Sequence, residues 1–306
     1  MNTKTIVKFI IATTVFYLFL AGNIFHIGDL LSPKNKDYVD NNIAQEEWTL
    51  EEIYFENSTY KATTGHFSAN ETTDIADICD STNICDKIQF NGQFTDTEKY
   101  SYIKIINKIT NFIDENSNEE TPINEVIDII EISKEHGNRR GYATRNTIIF
   151  NIWSVQSKKE FIELSTHEIG HITDLGYIQW SASKKDKNFT EFGHVVFAIN
   201  DLSLLFYKLS RNNETIRKST TKKKDFCSWY GMSDPFEDFA ECFNLYTNHN
   251  SFFRQIAKTN PILKKKYNHI ANIFEGEYIS SNSQDLKLIK TNSTRRPRDT
   301  TKLSIN

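Results

Sequence analysis

The sequence predicts an α+β fold that is mostly helical, with a small sheet next to a helix carrying the motif H-E-x-x-H. Three patterns support this fold class. Residues 95–115 repeat apolar side chains near the helical period, and residues 158–172 contain the motif and show the same period. Residues 145–153 are instead rich in β-branched and aromatic side chains, which favours a strand.

The remaining elements follow from local signals. Residues 122–135 indicate a second short helix, and the glycines of 137–141 indicate a turn before the strand. Residues 192–209 indicate an additional or lengthened helix. Residues 251–274 form a closing helical region that is interrupted near Pro261, because proline cannot continue a helix from the preceding turn.

The most informative motif is His167-Glu168-Ile169-Gly170-His171. Positions i and i+4 of a helix share a face, so His167 and His171 can point at one metal ion. Glu168 then lies beside the metal, where its carboxylate can take the proton of a water that zinc has acidified. The alternative is a solvated helix with two histidines, which the apolar flanks disfavour. Gly170 costs about 1 kcal/mol relative to alanine inside a helix, which makes sense if another backbone packs closely there.

A catalytic zinc takes three protein ligands and keeps a fourth position open. The histidine candidates for the third ligand are His194, His249 and His269. A predicted helix with Asp234 as N-cap and Pro235 in its first turn offers a better candidate. Its residues Glu237 and Glu241 share one face, where two carboxylates are costly unless they bind something. We therefore expect Glu237 to ligate the metal and Glu241 to accept a hydrogen bond from a ligand imidazole. A half-exposed acidic face is the other interpretation.

These segments resemble the zinc-peptidase domain of the anthrax lethal factor type, a group that includes secreted Pro-Pro endopeptidases. The matching residues are H-E-x-x-H at 167–171, Tyr-Gly at 230–231 and E-D-F-A-E-C-F at 237–243. The resemblance covers about residues 93–275 and is specific in the motif regions. It implies a zincin-like metallopeptidase fold, a gluzincin ligand set and one catalytic Zn²⁺.

The resemblance also implies roles for two further residues. Tyr230 stands seven residues before Glu237, where the family has a tyrosine that stabilises the tetrahedral intermediate. Glu241 matches a second glutamate four residues beyond the ligand. The chain departs from the compact family members in the 66 positions that separate His171 from Glu237. No feature of this longer segment argues for Pro-Pro cleavage.

The function expected from these residues is an extracytoplasmic zinc endopeptidase. His167, His171 and Glu237 would hold the zinc, with Glu168 as general base and Tyr230 as oxyanion stabiliser. Two other functions remain open. One is a catalytically inactive zincin-like module that binds a partner at the cell surface. The other is a toxin-like effector protease that acts on a host protein.

The expected partner is a protein or peptide substrate bound as an extended strand along residues 146–153. An ordinary buried strand is the alternative interpretation of this segment. The net charge of −4 gives no reason to expect nucleic acid. A membrane would be a second partner if the N-terminal segment is not removed.

The four cysteines agree with an extracytoplasmic location. Cys79 and Cys85 enclose a short loop, and Cys227 and Cys242 flank the segment with Tyr230. Four cysteines allow three connectivities, of which the two local pairs are preferred, and free buried thiols are the alternative.

The chain is expected to divide into four parts. Residues 1–28 are a membrane anchor or a signal peptide, with lysines before an uncharged run, which places the rest of the chain outside. Residues 29–92 are a linker and a small N-terminal region whose role the sequence does not indicate. Residues 93–279 form the metallopeptidase domain. Residues 280–306 are expected to be a disordered basic tail.

Overall fold

The computed structural model describes residues 75–79, 84–137, 139–179, 182–279 and 296–305. These residues belong to one compact unit, Trp48–Asn306, whereas a second unit, Met1–Glu47, lies outside the described residues. The expected anchor or signal peptide at 1–28 and the linker that follows it also lie outside them. In the part of the chain that the structure describes, no helix is long and apolar enough to cross a bilayer.

Helices and one small sheet make up the described residues, which confirms the α+β prediction. The helices are α1 (Ile75–Cys79), α2 (Asp96–Asn116), α3 (Ile123–Val126), α4 (Lys158–Ile172), α5 (Leu202–Tyr207), α6 (Pro235–Asn248), α7 (Asn250–Lys258) and α8 (Pro261–Ile273). The strands are β1 (Ile88–Asn91), β2 (Ile129–Ser133), β3 (Gly141–Ala143) and β4 (Thr147–Asn151).

The four strands form a mixed sheet in the order β1-β2-β4-β3. β1, β2 and β4 run parallel, and β3 pairs antiparallel with β4 through Tyr142 and Ile149. Alternate residues of the two central strands point into the core, so that Ile130 and Ile148, paired in register, are both fully buried. β3 is therefore an outer strand of the sheet, and β4 is an inner one.

The helix with the H-E-x-x-H motif lies at the centre of the packing. α4 contacts α2, β3, β4 and α6. The Phe161 ring packs edge-on against Tyr102 of α2 and Phe150 of β4. A capping box between Thr95 and Glu98 fixes the start of α2. This start agrees with the helix predicted over residues 95–115. α4 is therefore packed between the sheet and the later helices.

The prediction of a helix over residues 122–135 is wrong for most of its length. Only α3 is helical, and β2 follows after two residues. Isoleucines fill alternate positions of β2, at Ile130 and Ile132, and also match part of a helical period in a segment this short. Pairing with β1 and β4 on its two sides decides in favour of the strand.

The predicted helix over residues 192–209 is also mostly wrong, because only α5 is helical. A 3₁₀ turn at Glu191–Gly193 precedes it, and φ is positive at Glu191, Phe192 and Gly193. Positive φ is incompatible with an α-helix, and Asp201 starts a new helix by capping the N–H of Ser203. The strand predicted at 145–153 is shorter, since it ends where a 3₁₀ turn begins at Ile152.

Both expected boundaries of the domain need correction. β1 lies before residue 93 yet pairs with β2, so the sheet already begins at Ile88. Residues 296–305 were expected to belong to a disordered tail, but Arg296 is buried and residues 300–305 form a 3₁₀ helix. The Arg296 guanidinium donates to the backbone carbonyls of Phe226 and Lys224, which compensates its charge in the interior.

The structure confirms both preferred disulfides. Cys79 pairs with Cys85, next to the first strand of the sheet, and Cys227 pairs with Cys242 in α6. All four cysteines are paired. The second disulfide ties the segment before Tyr230 to the helix that carries Glu237.

Candidate metal centre and catalytic site

α4 places the two motif histidines side by side. Its N-terminus is capped by Ser157, which accepts from the N–H of Glu160. His167 and His171 lie one turn apart with ring centroids at 4.9 Å, and both are buried. The helix therefore presents two imidazoles on one face, as the i and i+4 spacing predicts.

α6 brings the acidic residues to the same place. Asp234 caps this helix by accepting from the N–H groups of Phe236 and Glu237, and Pro235 occupies its first turn. The cap thus fixes the backbone of Glu237. Glu241 follows one turn later and is fully buried.

Gly170 allows α4 and α6 to approach closely. A Cβ atom at this position would lie 2.9 Å from Cδ1 of Phe243 and 3.3 Å from Cα of Ala240. The close approach of the α6 backbone expected from the sequence is therefore present. The absence of a side chain at Gly170 lets Glu237 reach the histidines.

The ligand atoms of His167, His171 and Glu237 converge. Glu237 Oε2 lies 3.2 Å from Nε2 of His167 and 3.4 Å from Nε2 of His171. With bonds of about 2.0–2.1 Å, two ligand atoms on a tetrahedral zinc are about 3.3 Å apart. Glu237 Oε2 is buried, and burial of a carboxylate oxygen is costly unless a positive charge lies beside it. Two imidazoles and one carboxylate, with this spacing, fit a catalytic zinc.

Glu241 contacts the side of the His167 imidazole that faces away from Glu237. Its Oε1 lies 3.0 Å from Nδ1 of His167, while Nε2 of the same ring faces the converging atoms. Carboxylates in this position orient the ring and raise its basicity as a metal ligand. The other Glu241 oxygen accepts from the N–H of Thr300 at 2.8 Å.

Tyr230 contacts both His167 and Glu237. Its ring stacks on that of His167 with centroids at 6.1 Å, and its hydroxyl donates to Glu237 Oε1 at 2.9 Å. The charge of Glu237 and burial raise the pKa of Tyr230, so its hydroxyl stays protonated and can donate. About half of the side chain remains exposed (47%), so a substrate can reach it.

The charges of the site compensate one another in the protein without metal. Burial lowers the pKa of His167 and His171, but carboxylates including Glu237 outweigh it and raise both values above 6.5. Burial raises the pKa of Glu237, but the two histidines outweigh it and hold this pKa well below its ordinary value. A bound dication would take the place of the histidine protons opposite Glu237.

Zinc binding should therefore release protons. Because the raised pKa values of His167 and His171 favour the protonated imidazoles, zinc would have to displace protons from these rings in order to bind. We expect zinc affinity to increase with pH and to level off above these pKa values. Calorimetric titration in buffers of different ionisation enthalpy counts the released protons. A zinc affinity that is constant from about pH 6 to about pH 9 would contradict this arrangement.

The carboxylate of Glu168, a residue of α4, lies beside β3 of the sheet. It is buried, and burial raises its pKa although the neighbouring imidazoles act in the opposite direction. A raised pKa suits a group that must accept and then return a proton near neutral pH. β3 passes directly beside it, because a Cβ atom on Gly141 would lie 2.6 Å from Glu168 Oε1.

Gly141→Ala should displace the Glu168 carboxylate. The new methyl group cannot coexist with Oε1, and a side-chain end moves more easily than a strand. A displacement of about 1 Å can lower turnover by about 100-fold, so we expect a loss of this order with zinc still bound.

Gly137→Ala is the matched control for this prediction. Its Cβ would crowd Nδ2 of Asn151 at the same 2.6 Å, but it would not touch Glu168. Steady-state kinetics and zinc content of both variants test whether Gly141→Ala alone loses turnover while zinc stays bound. Equal activity of Gly141→Ala and the wild type would mean that the position of Glu168 is not critical.

The structure corrects the expected path of a bound peptide. β4, within the predicted segment 146–153, pairs with β2 on one side and β3 on the other. It therefore has no free edge. Among the described strands, the outer strand beside Glu168 is β3, so an extended peptide bound near Glu168 would pair there instead.

The long segment between His171 and Glu237 packs against α6, the helix that carries Glu237. Tyr207 donates to the buried Asp174 at 2.5 Å, one turn beyond His171. The half-exposed Phe192 packs edge-on against Phe236, the neighbour of Glu237, with centroids at 5.8 Å. The segment thus reaches the neighbourhood of the site.

The histidines that were rejected as ligands lie in other environments. His249 is buried and its Nε2 lies 2.8 Å from Glu163. Burial lowers the pKa of His269 to about 4, beside the ring of Phe206. His194 is exposed. Among the described residues, the group that can hold a metal is His167, His171 and Glu237.

Three residues at the site were missed by sequence reasoning. Gly141 contacts Glu168, Arg140 pairs with Glu160 of α4, and the N–H of Thr300 binds Glu241. For the first two of these residues, the available sequence signal was the pair Arg140-Gly141 in the predicted turn. Nothing in the sequence around Thr300 indicates a contact with residues about 60 positions earlier.

No family model, no curated protein and no solved structure matches the chain.

Proposed function

We propose that this protein is a zinc-dependent endopeptidase with a zincin-like catalytic domain. The observation that carries the proposal is the convergence of His167, His171 and Glu237 beside a buried carboxylate, Glu168. The spacing of the ligand atoms suits a tetrahedral zinc. Two imidazoles with one carboxylate are also the ligand set of known zinc peptidases.

Zinc bound by these residues would acidify a water molecule and polarise the scissile carbonyl group. Glu168 accepts the proton of the attacking water and passes it to the nitrogen of the departing amine. Tyr230 donates its hydroxyl proton in a hydrogen bond to the oxyanion that develops on the substrate. For this the hydroxyl turns from Glu237 Oε1, its acceptor at 2.9 Å. Glu241 keeps His167 in its orientation.

The outer strand β3 supports the choice of a peptide as substrate. β3 passes next to Glu168 and is an outer strand of the sheet, and an added strand there would bring a peptide near the proposed catalytic residues. Main-chain pairing accepts many sequences, so specificity would come from side chains near the site. The half-exposed Phe192 and Tyr230 are two such side chains.

The two disulfides support a location outside the cytoplasm. Disulfides form and persist in oxidising compartments and are rare where glutathione keeps thiols reduced. All four cysteines of this chain are paired. An envelope, matrix or host protein is therefore the kind of substrate to expect.

The test of this proposal is cleavage of a diverse peptide mixture. The purified, zinc-loaded chain would be incubated with the mixture and the cut sites read by mass spectrometry. Glu168→Ala and a chelator-treated sample serve as controls. Cleavage that is lost in both controls would support the endopeptidase and reveal its side-chain preferences.

The opposite result would refute a general endopeptidase. If a folded, zinc-loaded chain cuts nothing in the mixture or in native proteins, the retained site residues would fit a module that binds a partner without cleaving it.

A further inference from the structure

Residues 296–301, called here the 296–301 segment, pack against the catalytic site. The segment begins with Arg296, whose buried guanidinium donates to the carbonyls of Phe226 at 3.0 Å and Lys224 at 2.9 Å. These carbonyls precede the disulfide-linked Cys227. The segment is therefore anchored beside the turn that carries Tyr230.

The next residues pair with that turn through their backbone. The carbonyl of Pro297 accepts from the N–H of Trp229 at 3.0 Å, and the carbonyl of Arg298 accepts from the N–H of Tyr230 at 2.9 Å. The 3₁₀ turn Tyr230–Met232 and the residue before it are thus hydrogen-bonded to the 296–301 segment. These bonds limit how far the Tyr230 side chain can move.

Thr300 makes the contact that is closest to the metal ligands. Its N–H donates to Glu241 Oε2 at 2.8 Å, and its hydroxyl accepts from Asn244 Nδ2 at 3.0 Å. Glu241 is fully buried, so an oxygen without a donor would be costly. Because Thr300 holds Oε2, the other oxygen faces Nδ1 of His167 at 3.0 Å.

The segment also holds the start of β3. Arg140 donates to Asp299 at 2.6 Å and to Thr301 at 2.6 Å, and its other terminal nitrogen donates to Glu160 of α4 at 2.8 Å. The next residue is Gly141, where an added Cβ would lie 2.6 Å from Glu168 Oε1. One short stretch of chain therefore contacts the elements that position His167, Tyr230 and Glu168.

We propose that the 296–301 segment is a positioning element of the catalytic site, in which the Thr300 N–H orients Glu241 and thereby His167. The proposal rests on the proposed function and deepens it, because it assigns a task at the metal site to residues outside the H-E-x-x-H and Glu237 helices. Thr300 touches neither metal nor substrate and acts through Glu241.

Thr300→Pro in the full chain tests the proposal. Proline removes the N–H and is tolerated in the first turn of a helix, which is where Thr300 lies. Loss of a partner behind a metal ligand typically costs about 10–100-fold in metal affinity or activity. We expect losses of this size in zinc affinity, measured by competition with a chromophoric chelator, and in kcat, with KM within about twofold.

Conservative variants distinguish a positioning role of Thr300 from a role in folding. Thr300→Ser keeps the N–H and the hydroxyl and should have the zinc affinity of the wild type. Thr300→Val keeps the N–H alone and should lose less than Thr300→Pro. If Thr300→Pro does not fold, an ester in place of the Thr300 amide removes the same donor without a ring, and the same losses are expected.

A double-mutant cycle with Glu241→Gln shows whether Thr300 acts through Glu241. We expect Thr300→Pro to add little to the zinc loss that Glu241→Gln causes alone, because coupled residues are not additive. Full additivity, or a folded Thr300→Pro or ester variant with wild-type zinc affinity and kcat, would overturn the proposal.

The zinc measurements also distinguish failure of the positioning role from failure of the proposed peptidase activity. A chain that binds zinc in a Thr300-dependent manner but cuts no peptide would refute the peptidase and support the positioning role. A wild-type chain that binds no zinc would overturn both.

Discussion

Glu168→Gln should abolish peptide hydrolysis and leave zinc in place. Glutamine has the shape of glutamate but cannot accept the proton of the attacking water. General base catalysis contributes about 10²–10⁴-fold to a rate, so we expect kcat to decrease by at least this order. The zinc content should not change, because the ligand atoms that converge belong to His167, His171 and Glu237.

The matched control for this prediction is Glu115→Gln. Glu115 is exposed on α2, and its replacement removes one carboxylate without touching the site. Turnover of each variant and zinc content by elemental analysis are the measurements. Loss of zinc from Glu168→Gln would mean that Glu168 is a ligand, and the roles of base and ligand would have to be reassigned.

Tyr230→Phe should lower kcat by about 10²–10³-fold, the usual cost of removing one donor to an oxyanion. The hydroxyl bonds Glu237 Oε1, whereas Oε2 is the oxygen that faces the two histidines. Zinc should therefore stay bound, and the ring should still stack on His167. Because the hydroxyl is needed mainly in the transition state, KM should change less than kcat.

Tyr278→Phe provides the comparison, since Tyr278 is an exposed tyrosine of the same chain. Wild-type turnover in Tyr230→Phe would remove this residue from the mechanism. Zinc loss in Tyr230→Phe would instead mean that the Tyr230 hydroxyl is needed to hold Glu237 in place.

The candidate site could be predicted because its signals are local. H-E-x-x-H and the pair Glu237 and Glu241 each occupy one face of a helix, where the i and i+4 spacing alone sets the geometry. Asp234 and Pro235 mark the start of the second helix in the sequence, and the structure confirms that start. The glycine at 170 indicated the close approach of a second backbone, which α6 supplies.

The parts that were missed depend on contacts between distant residues. β2 was misread because its isoleucines match two periods, and the choice between them is made by β1 and β4. Gly141 and Thr300 lie 27 and 59 positions from the glutamates they contact, Glu168 and Glu241.

The end of the chain was misjudged for a related reason. An arginine-rich polar stretch has the composition of a disordered tail. In the structure the charge of Arg296 is compensated by backbone carbonyls of residues about 70 positions earlier. Composition does not reveal such partners.

Zinc stoichiometry tests most directly whether His167, His171 and Glu237 hold one zinc ion. The purified wild type, Glu237→Ala and Glu168→Gln would be dialysed against dilute zinc and analysed for metal per chain. We expect about one zinc per chain in the wild type and in Glu168→Gln, and strongly reduced zinc in Glu237→Ala. A wild type without zinc, or Glu237→Ala with undiminished zinc, would contradict it.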